Sequence, residues 1–382
     1  MRSPICELLG IDFPLIAFSH CRDVVVEVSK AGGMGVTGVS GMSAEQLEIE
    51  LSWIDDHIEG KPYGVDVLIP SSMLTRDSQP TPDQVLAMVP EEHKAFAAQI
   101  LEDHDVDSSD IDDEARRERL GFGDNLRPEG AKKVVEVAFS HPIRLIANAL
   151  GVPPLWMLEL GKERGVPVAA LVGSKYHALK QVAAGVDVLV VSGTEGGGHC
   201  GTVSSMVLIP EVARAVEQHG SEVPILAAGG IMTGRQMAAA MAMGADGAWT
   251  GSVWLPTVEA ETSEVMKHKF VEASSSETVR TRSRTGKPAR QLQSAWTRAW
   301  ETEDAPDPLP MPLQTLVSDP PLQKARKLAE GGHEGAAEIE TYYVGQGVGL
   351  IDKIQSTQNV VYGFKEDFVR SYGRLADFLE DG

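Results

Sequence analysis

Short runs of apolar, mostly β-branched residues recur along the chain, and a segment with helical periodicity follows each of them. Most of these runs are apolar throughout, as is typical of strands buried on both faces of a parallel sheet. Eight strand-then-helix units predict an α/β fold, a closed (β/α)8 barrel of the TIM type. The predicted strands are Pro14–Ser19, Gly35–Val39, Gly64–Ile69, Arg144–Ala149, Val168–Val172, Val186–Val191, Pro224–Ala228 and Gly247–Gly251.

Polar residues and glycines between the runs indicate where helices begin and end. Ser43 and Gln46 form a capping-box pattern at the start of a helix predicted over Ala44–Ile58. Helices predicted at Lys175–Ala184 and Met232–Met243 each end before a glycine, which favours a left-handed residue at that position. A strand follows both glycines within about three residues, so the alternation of helix and strand is tight.

Two segments of the chain are not needed to build a minimal barrel. Residues 71–130 follow the third predicted strand and include the acidic run Glu102–Glu114, so we expect an acidic insertion at the barrel mouth. A solvated surface is the simpler interpretation of that run, and a lid over the substrate is the alternative. We therefore expect a barrel over residues 1–256 and a mostly helical extension over 257–382 that packs on it, with one helix near Gln323–Ala329.

The chain is acidic, with 34 Lys and Arg against 55 Asp and Glu and a formal net charge of −21. This balance excludes a protein that binds nucleic acid or an anionic membrane through bulk charge. No apolar stretch reaches the roughly 20 clean residues of a bilayer span, and the N-terminus has no secretory pattern. Three cysteines, Cys6, Cys21 and Cys200, cannot form a disulfide framework, so we expect a cytoplasmic protein.

The loops after the seventh and eighth predicted strands are rich in glycine. Gly229 and Gly230 follow the seventh strand, and Gly251 and Ser252 follow the eighth. In barrels of this kind a phosphate commonly binds after these two strands, and glycine lets it approach backbone N–H groups. A phosphorylated cofactor is therefore predicted, with the alternative that the glycines only form tight turns.

The loop after the sixth predicted strand has five glycines around His199. Because this segment offers few other reactive side chains, His199 is our candidate for a base or an anion stabiliser, and a purely structural histidine is the alternative. The same loop contains a literal G-x-G-x-x-G at Gly196, Gly198 and Gly201. A dinucleotide-binding interpretation fails because the next strand ends in Ala-Gly-Gly without an acidic residue for the ribose.

Cysteine and metal chemistry have little support. Cys200 lies next to His199, but adjacent residues of an extended loop tend to point apart. No H-E-x-x-H pattern or cysteine pair indicates a metal site, so no metal is expected. His20 and Cys21 follow the first predicted strand and could line the same pocket from its opposite side.

Three segments resemble the nitronate monooxygenase family, formerly called 2-nitropropane dioxygenases: Gly193–Gly201, Ile225–Ile231 and Gly244–Ser252. Weaker similarity is found at Thr285–Arg290 and Gly345–Leu350. The resemblance implies a barrel that binds FMN, with His199 as the catalytic histidine. By the same resemblance, the cofactor would contact Ala17, Phe18, Ser19, Asp66, Ser192, Gly197, Gly230, Trp249, Thr250, Gly251 and Ser252.

The chain departs from the family pattern at three of these places. Asp66 replaces an Asn, Ser192 replaces a Gln, and Ala17–Ser19 reads Ala-Phe-Ser where the family usually has Ala-Pro-Met. A charged Asp66 would disfavour an anionic reduced flavin unless it is protonated or paired, and Ser192 is too short for the hydrogen bonds of Gln. We expect FMN binding to tolerate these changes better than substrate identity does.

The resemblance implies oxidation of a nitronate, or of a nitroalkane after proton abstraction by His199, with FMN and O2 to give a carbonyl compound and nitrite. The partners would be a small-molecule substrate and O2, and a homo-oligomer remains open. An anionic substrate needs positive groups, and only His199 and the glycine-loop N–H groups can be placed from the sequence. The alternatives are an FMN-dependent NAD(P)H oxidoreductase, a quinone or enoyl-thioester reductase, and a flavin-binding protein without turnover.

Overall fold

A computed structural model of the chain describes residues 1–69, 81–114, 116 and 128–380. Eight parallel strands close into a barrel in chain order, and helices surround it. All eight predicted strands are present, so the predicted (β/α)8 barrel is confirmed. The barrel strands are β1 Leu15–Ser19, β2 Met34–Gly38, β3 Tyr63–Val67, β4 Leu145–Asn148, β5 Val168–Val172, β6 Val188–Ser192, β8 Ile225–Ala228 and β9 Gly247–Thr250.

The helix ends follow the expected local chemistry. The capping box of helix α3 (Ala44–His57) is formed, because Gln46 N donates to Ser43 Oγ at 3.2 Å and Ser43 N donates to Gln46 Oε1 at 2.9 Å. Gly185 ends helix α8 (Lys175–Ala184) in the left-handed conformation at φ +90°. The helices are α1 Pro4–Leu9, α2 Arg22–Lys30, α3 Ala44–His57, α4 Pro82–Leu86, α5 Glu91–Glu102, α6 Pro128–Ser140, α7 Leu155–Arg164, α8 Lys175–Ala184, α9 Ser205–Gln218, α10 Gly234–Ala242, α11 Glu264–Glu272, α12 Ala295–Ala299, α13 Leu313–Glu330, α14 Glu334–Ile339 and α15 Thr357–Glu380.

Alternate residues of each barrel strand point into the barrel or outward against the helices. Ile16, Met34, Val36 and Leu226 belong to the interior cluster, together with Ile5 of α1. Outward residues pack against the surrounding helices in two larger clusters. The interior of the barrel is therefore a filled core and not a channel.

The segment after the barrel contributes strands as well as helices. β10 Thr278–Thr281 and β11 Ala289–Leu292 form an antiparallel hairpin, and β11 also pairs with the short strand β7 Gly198–His199. In this register Ala289 lies opposite His199. The long helix α15 packs against α10 and α2 on the outside of the barrel. The extension therefore packs against the outside of the barrel through α15 and pairs with the loop of the candidate histidine through β11.

The insertion packs against the extension. Ile100 and Leu101 of α5 share an apolar cluster with Trp296 and Trp300. Within the acidic run, Asp107 and Asp110 form ion pairs with Lys324 of α13. Residues 70–80, 115 and 117–127, which include part of the expected insertion 71–130, lie outside the described residues.

Helix α13 begins ten residues before the helix expected near Gln323–Ala329 and contains Pro320 and Pro321. Proline removes a helical hydrogen bond, which favoured a later start. The helix buries Leu316, Val317 and both prolines, so tertiary packing overrides the local preference. In the described part of the chain, no helix combines the length and apolarity needed to cross a membrane.

Candidate active site

The carboxyl ends of the barrel strands bring most of the predicted cofactor residues to one end of the molecule. Phe18, Asp66, Ser192 and Trp249 occupy the inward positions of their strands, continuing the interior alternation. Phe18 packs over Trp249 with ring centroids 6.4 Å apart and an interplanar angle of 24°. Together the two rings form an apolar wall at the barrel mouth.

Three other predicted positions face outward. Ala17 packs in the outer cluster. Ser19 Oγ accepts a hydrogen bond from Cys21 N at 3.1 Å. Thr250 Oγ1 donates to Ile16 O at 3.0 Å and accepts from Trp254 Nε1 at 3.0 Å. The side chains of Ala17, Ser19 and Thr250 therefore stabilise the barrel, and only their backbone atoms could reach a bound cofactor.

His20 lies at this mouth beside the aromatic wall. Its ring meets Phe18 edge-on at a centroid distance of 5.2 Å, and its Nδ1 donates to Gly38 O at 2.8 Å. A Cβ atom at Gly38 would lie only 2.7 Å from atoms of both rings, so glycine is needed there. Cys21 is buried instead, with its Sγ donating to Glu259 O at 3.1 Å.

Asp66 places a carboxyl group in this apolar setting. It pairs in register with Gly38 and Ala147, and it is only 5 % exposed. Its Oδ1 has no hydrogen-bond partner among the described residues. Burial raises the pKa of this carboxyl well above its usual range. A buried polar atom without a hydrogen-bond partner lowers stability. Oδ1 of Asp66 is therefore suited to hydrogen-bond with the polar edge of a bound ring.

The glycines after β8 shape a close backbone turn. Gly229 and Gly230 have φ values of +94° and +72°, and a Cβ atom at Gly229 would lie 2.9 Å from Gly193 N. No hydrogen bond within the described part of the chain uses the N–H of Gly230. After β9, Ser252 Oγ accepts from Gly345 N at 2.9 Å. The turn leaves a backbone donor free, as a phosphate cradle requires.

The glycine-containing segment that begins at Gly345 packs against the loop that carries His199. Gln346 N donates to Glu195 O at 2.8 Å. A Cβ atom at Gly197 would lie 2.9 Å from Gly345 N, so the two backbones approach closely only because both residues are glycines. The Glu195 carboxylate accepts from Ser205 N and Oγ, each at 2.9 Å, and so anchors the loop to the start of α9.

His199 is exposed on β7, and its Nδ1 lies 3.3 Å from Pro288 O. A carbonyl oxygen can only accept, so this contact assigns the proton to Nδ1 and leaves the lone pair of Nε2 free in the neutral ring. Although solvent reaches the residue, partial burial lowers the pKa of His199, and the nearby charge of Lys287 acts in the same direction. The Pro288 contact opposes this shift without reversing it. At neutral pH the ring is therefore a neutral acceptor.

The structure also brings positive charge to this site, which sequence reasoning missed. Arg280 Nη2 donates to Cys200 O at 3.2 Å, and Lys287 lies exposed in the hairpin turn. Buried Arg290 donates from Nε to Thr194 O at 3.0 Å. The segment Thr285–Arg290 was noted only for its family resemblance, and its basic residues were the available signal. Among the described residues, no cluster of His, Cys, Asp or Glu could hold a metal ion.

A family assignment covers nearly the whole chain. The sequence model of the nitronate monooxygenase family matches residues 2–367. The chain belongs to this family. As a nitronate monooxygenase family member it is a flavin-dependent oxidoreductase.

Individual relatives cover nearly all of the chain. Rv1533 of Mycobacterium tuberculosis, which is provisionally described as a monooxygenase, is 48 % identical over 382 residues. The match covers 100 % of both chains. A "Probable nitronate monooxygenase" of Staphylococcus saprophyticus is 26 % identical over 380 residues, covering 94 % of this chain and 97 % of the relative. A nitroalkane oxidase from Streptomyces ansochromogenes shares the fold, with a TM-score of 0.77 at 23 % identity over 97 % of this chain and 99 % of that one.

Proposed function

We propose that this enzyme binds FMN at the carboxyl end of its barrel and oxidises nitronates with O2 to a carbonyl compound and nitrite. The observation that carries the proposal is the setting of His199, whose Nδ1 is engaged by Pro288 O at 3.3 Å while Nε2 has no hydrogen-bond partner among the described residues. This neutral base lies in a loop that borders the glycine turn after β8, in a chain of the nitronate monooxygenase family.

The residues at the mouth fit FMN. The backbone of Gly230, Gly251 and Ser252 would hold the phosphate, and Gly197, packed against Gly345, would hold the histidine loop beside the cofactor. Phe18 and Trp249 would pack near the ring system, which is flat and largely apolar. When bound, FMN supplies the electron transfer from substrate to O2.

Asp66 and Ser192 would face the polar edge of the ring. In its protonated form Asp66 both donates and accepts, so it can replace the amide of the family's Asn without adding a charge. Ala17, Ser19 and Thr250 would contribute only backbone contacts, since their side chains are engaged on the outer face of the barrel.

His199 would act on the α-proton of a neutral nitroalkane. Its Nε2 takes the proton, the C–H electron pair remains on the substrate, and the product is the nitronate. A substrate supplied as the nitronate needs no proton removal. We therefore expect His199→Ala to lower the rate with a nitroalkane more than the rate with the corresponding nitronate.

Anaerobic titration of the flavin-loaded enzyme tests the reaction class. We expect propionate 3-nitronate to bleach the visible flavin spectrum, and aerobic turnover to release nitrite. Lys180→Gln, an exposed change on α8, serves as the unaffected control. Rapid bleaching by NADH or NADPH without bleaching by the nitronate would refute the proposal and favour an FMN-dependent NAD(P)H oxidoreductase.

A further inference from the structure

A cationic surface, formed by Arg280 and Lys287, lies beside His199 on the β10–β11 hairpin. Both residues are exposed, and the hairpin reaches the histidine because β11 pairs with β7. Arg280 Nη2 donates at 3.2 Å to the carbonyl of Cys200, the residue after His199. Lys287 precedes Pro288, whose carbonyl oxygen contacts the imidazole. The two cations therefore flank the candidate catalytic side chain.

The described part of the chain supplies no carboxylate to this cationic surface. Within the described ranges, no carboxylate oxygen lies within 4.0 Å of the charged nitrogens of Arg280 or Lys287. The two arginines of the turn between β10 and β11 differ, because Arg282 forms an ion pair at 3.0 Å and Arg284 forms one at 3.8 Å.

The donors of these two side chains suit a multiply charged oxyanion. A guanidinium has five N–H donors and an ammonium has three, and Arg280 uses only one in the contact with Cys200. A nitronate carries one delocalised charge, which a single cation is enough to balance. A phosphate ester carries up to two charges and three acceptor oxygens, and Arg and Lys are its usual partners.

We propose that Arg280 and Lys287 bind a phosphate group of the substrate or co-substrate, whose reactive end reaches past His199 into the barrel mouth. The proposal rests on the proposed site at His199 but not on nitronate as the reacting group. Two kinds of molecule supply this chemistry, a coenzyme A thioester and a phosphorylated nicotinamide dinucleotide. Both are long molecules, so the phosphate can stay at the exposed cations beside the histidine while the reacting atoms lie deeper, at the barrel mouth.

Equilibrium binding to the flavin-loaded enzyme, followed by flavin fluorescence, tests the proposal. The probes are two pairs that differ by one phosphate: coenzyme A with 3′-dephospho-coenzyme A, and NADPH with NADH. We expect the phosphorylated member of one pair to bind about tenfold more tightly than its partner, and inorganic phosphate to compete with it. The pair that shows the preference identifies the source of the phosphate.

Charge variants locate the binding site. Arg280→Gln and Lys287→Gln should each weaken binding of the preferred probe about tenfold, and Lys287→Arg should restore most of it. Arg214→Gln on α9 and Lys180→Gln on α8 are exposed and change the net charge equally, so they should leave the dissociation constant unchanged. The flavin content of each variant verifies that the barrel is folded.

Two results would overturn the proposal: neither phosphorylated probe is preferred by the wild type, or all four Gln variants weaken binding equally. The second result would mean that only bulk charge acts. Propionate 3-nitronate titration of the same wild-type preparation distinguishes the two proposals. Absence of flavin reduction by the nitronate would refute the nitronate reaction, whereas an intact phosphate preference would still support the binding site.

Discussion

Asp66→Asn tests whether the barrel mouth holds a neutral carboxyl group. Asp66 is 5 % exposed and its Oδ1 lacks a partner among the described residues, so burial raises the pKa of the folded carboxyl well above its usual value. The unfolded chain releases this proton above about pH 3.9, but the folded protein keeps it. The folded state then binds more protons, so the free energy of unfolding decreases as pH rises through this range.

The magnitude follows from this linkage. While the folded carboxyl stays protonated, each pH unit costs the flavin-free wild type about 1.36 kcal/mol, or about 2.7 kcal/mol between pH 5 and pH 7. Asn does not titrate, so the stability of Asp66→Asn relative to wild type should increase from pH 5 to pH 7, by at most that amount. Reversible urea unfolding of flavin-free protein at the two pH values measures the difference.

Asp56→Asn is the matched control for this experiment. Asp56 is exposed on α3, so its replacement by Asn removes no buried group, and this variant is the reference at both pH values. If the relative stability of Asp66→Asn is the same at pH 5 and pH 7, the carboxyl is solvated or paired and the reasoning is wrong.

Three further predictions address the histidine, its loop and the barrel wall. Because the charge of Lys287 lowers the pKa of His199, Lys287→Ala should move the acid limb of the kcat/KM profile for nitroalkane to higher pH; an unmoved limb contradicts this. Gly345→Ala would place a Cβ atom 2.5 Å from Glu195 O and should weaken flavin binding about tenfold by fluorescence titration, whereas Gly363→Ala, with no atom within 4 Å, should not. Tyr63→Phe removes a hydrogen bond of 2.6 Å to a carboxylate of α3 and should cost about 1–3 kcal/mol in urea unfolding, and a neutral result would show that water replaces it.

Most of the barrel could be predicted from local patterns in the sequence. Strands such as Val168–Val172 were predictable because a strand buried on both faces has no polar alternation, and this signal lies within five residues. The capping box at Ser43 and the left-handed Gly185 are likewise local, since each depends on groups within one helical turn. Helix α13 was misplaced because the burial of Pro320 and Pro321 depends on partners distant in sequence.

The alternation of side chains along the strands also decides which of the candidate residues face the site. The family resemblance named positions in β1 and β9, but only the closed barrel distinguishes inward Phe18 and Trp249 from outward Ala17 and Thr250. The departure at Asp66 was visible in the sequence, whereas its orphaned oxygen was not. Burial depends on what the neighbouring strands present, and those neighbours come from other parts of the chain.

The sequence by itself determined the barrel, its glycine turns and the candidate histidine, because each is encoded in a short run of residues. Only the tertiary structure decided how that histidine is held and charged. Pro288 lies 89 positions from His199 in the chain, and antiparallel pairing of β11 with β7 brings it and the cations of the hairpin to the imidazole. Contacts of such sequence separation are set by the packing of the whole fold, so no local pattern records them.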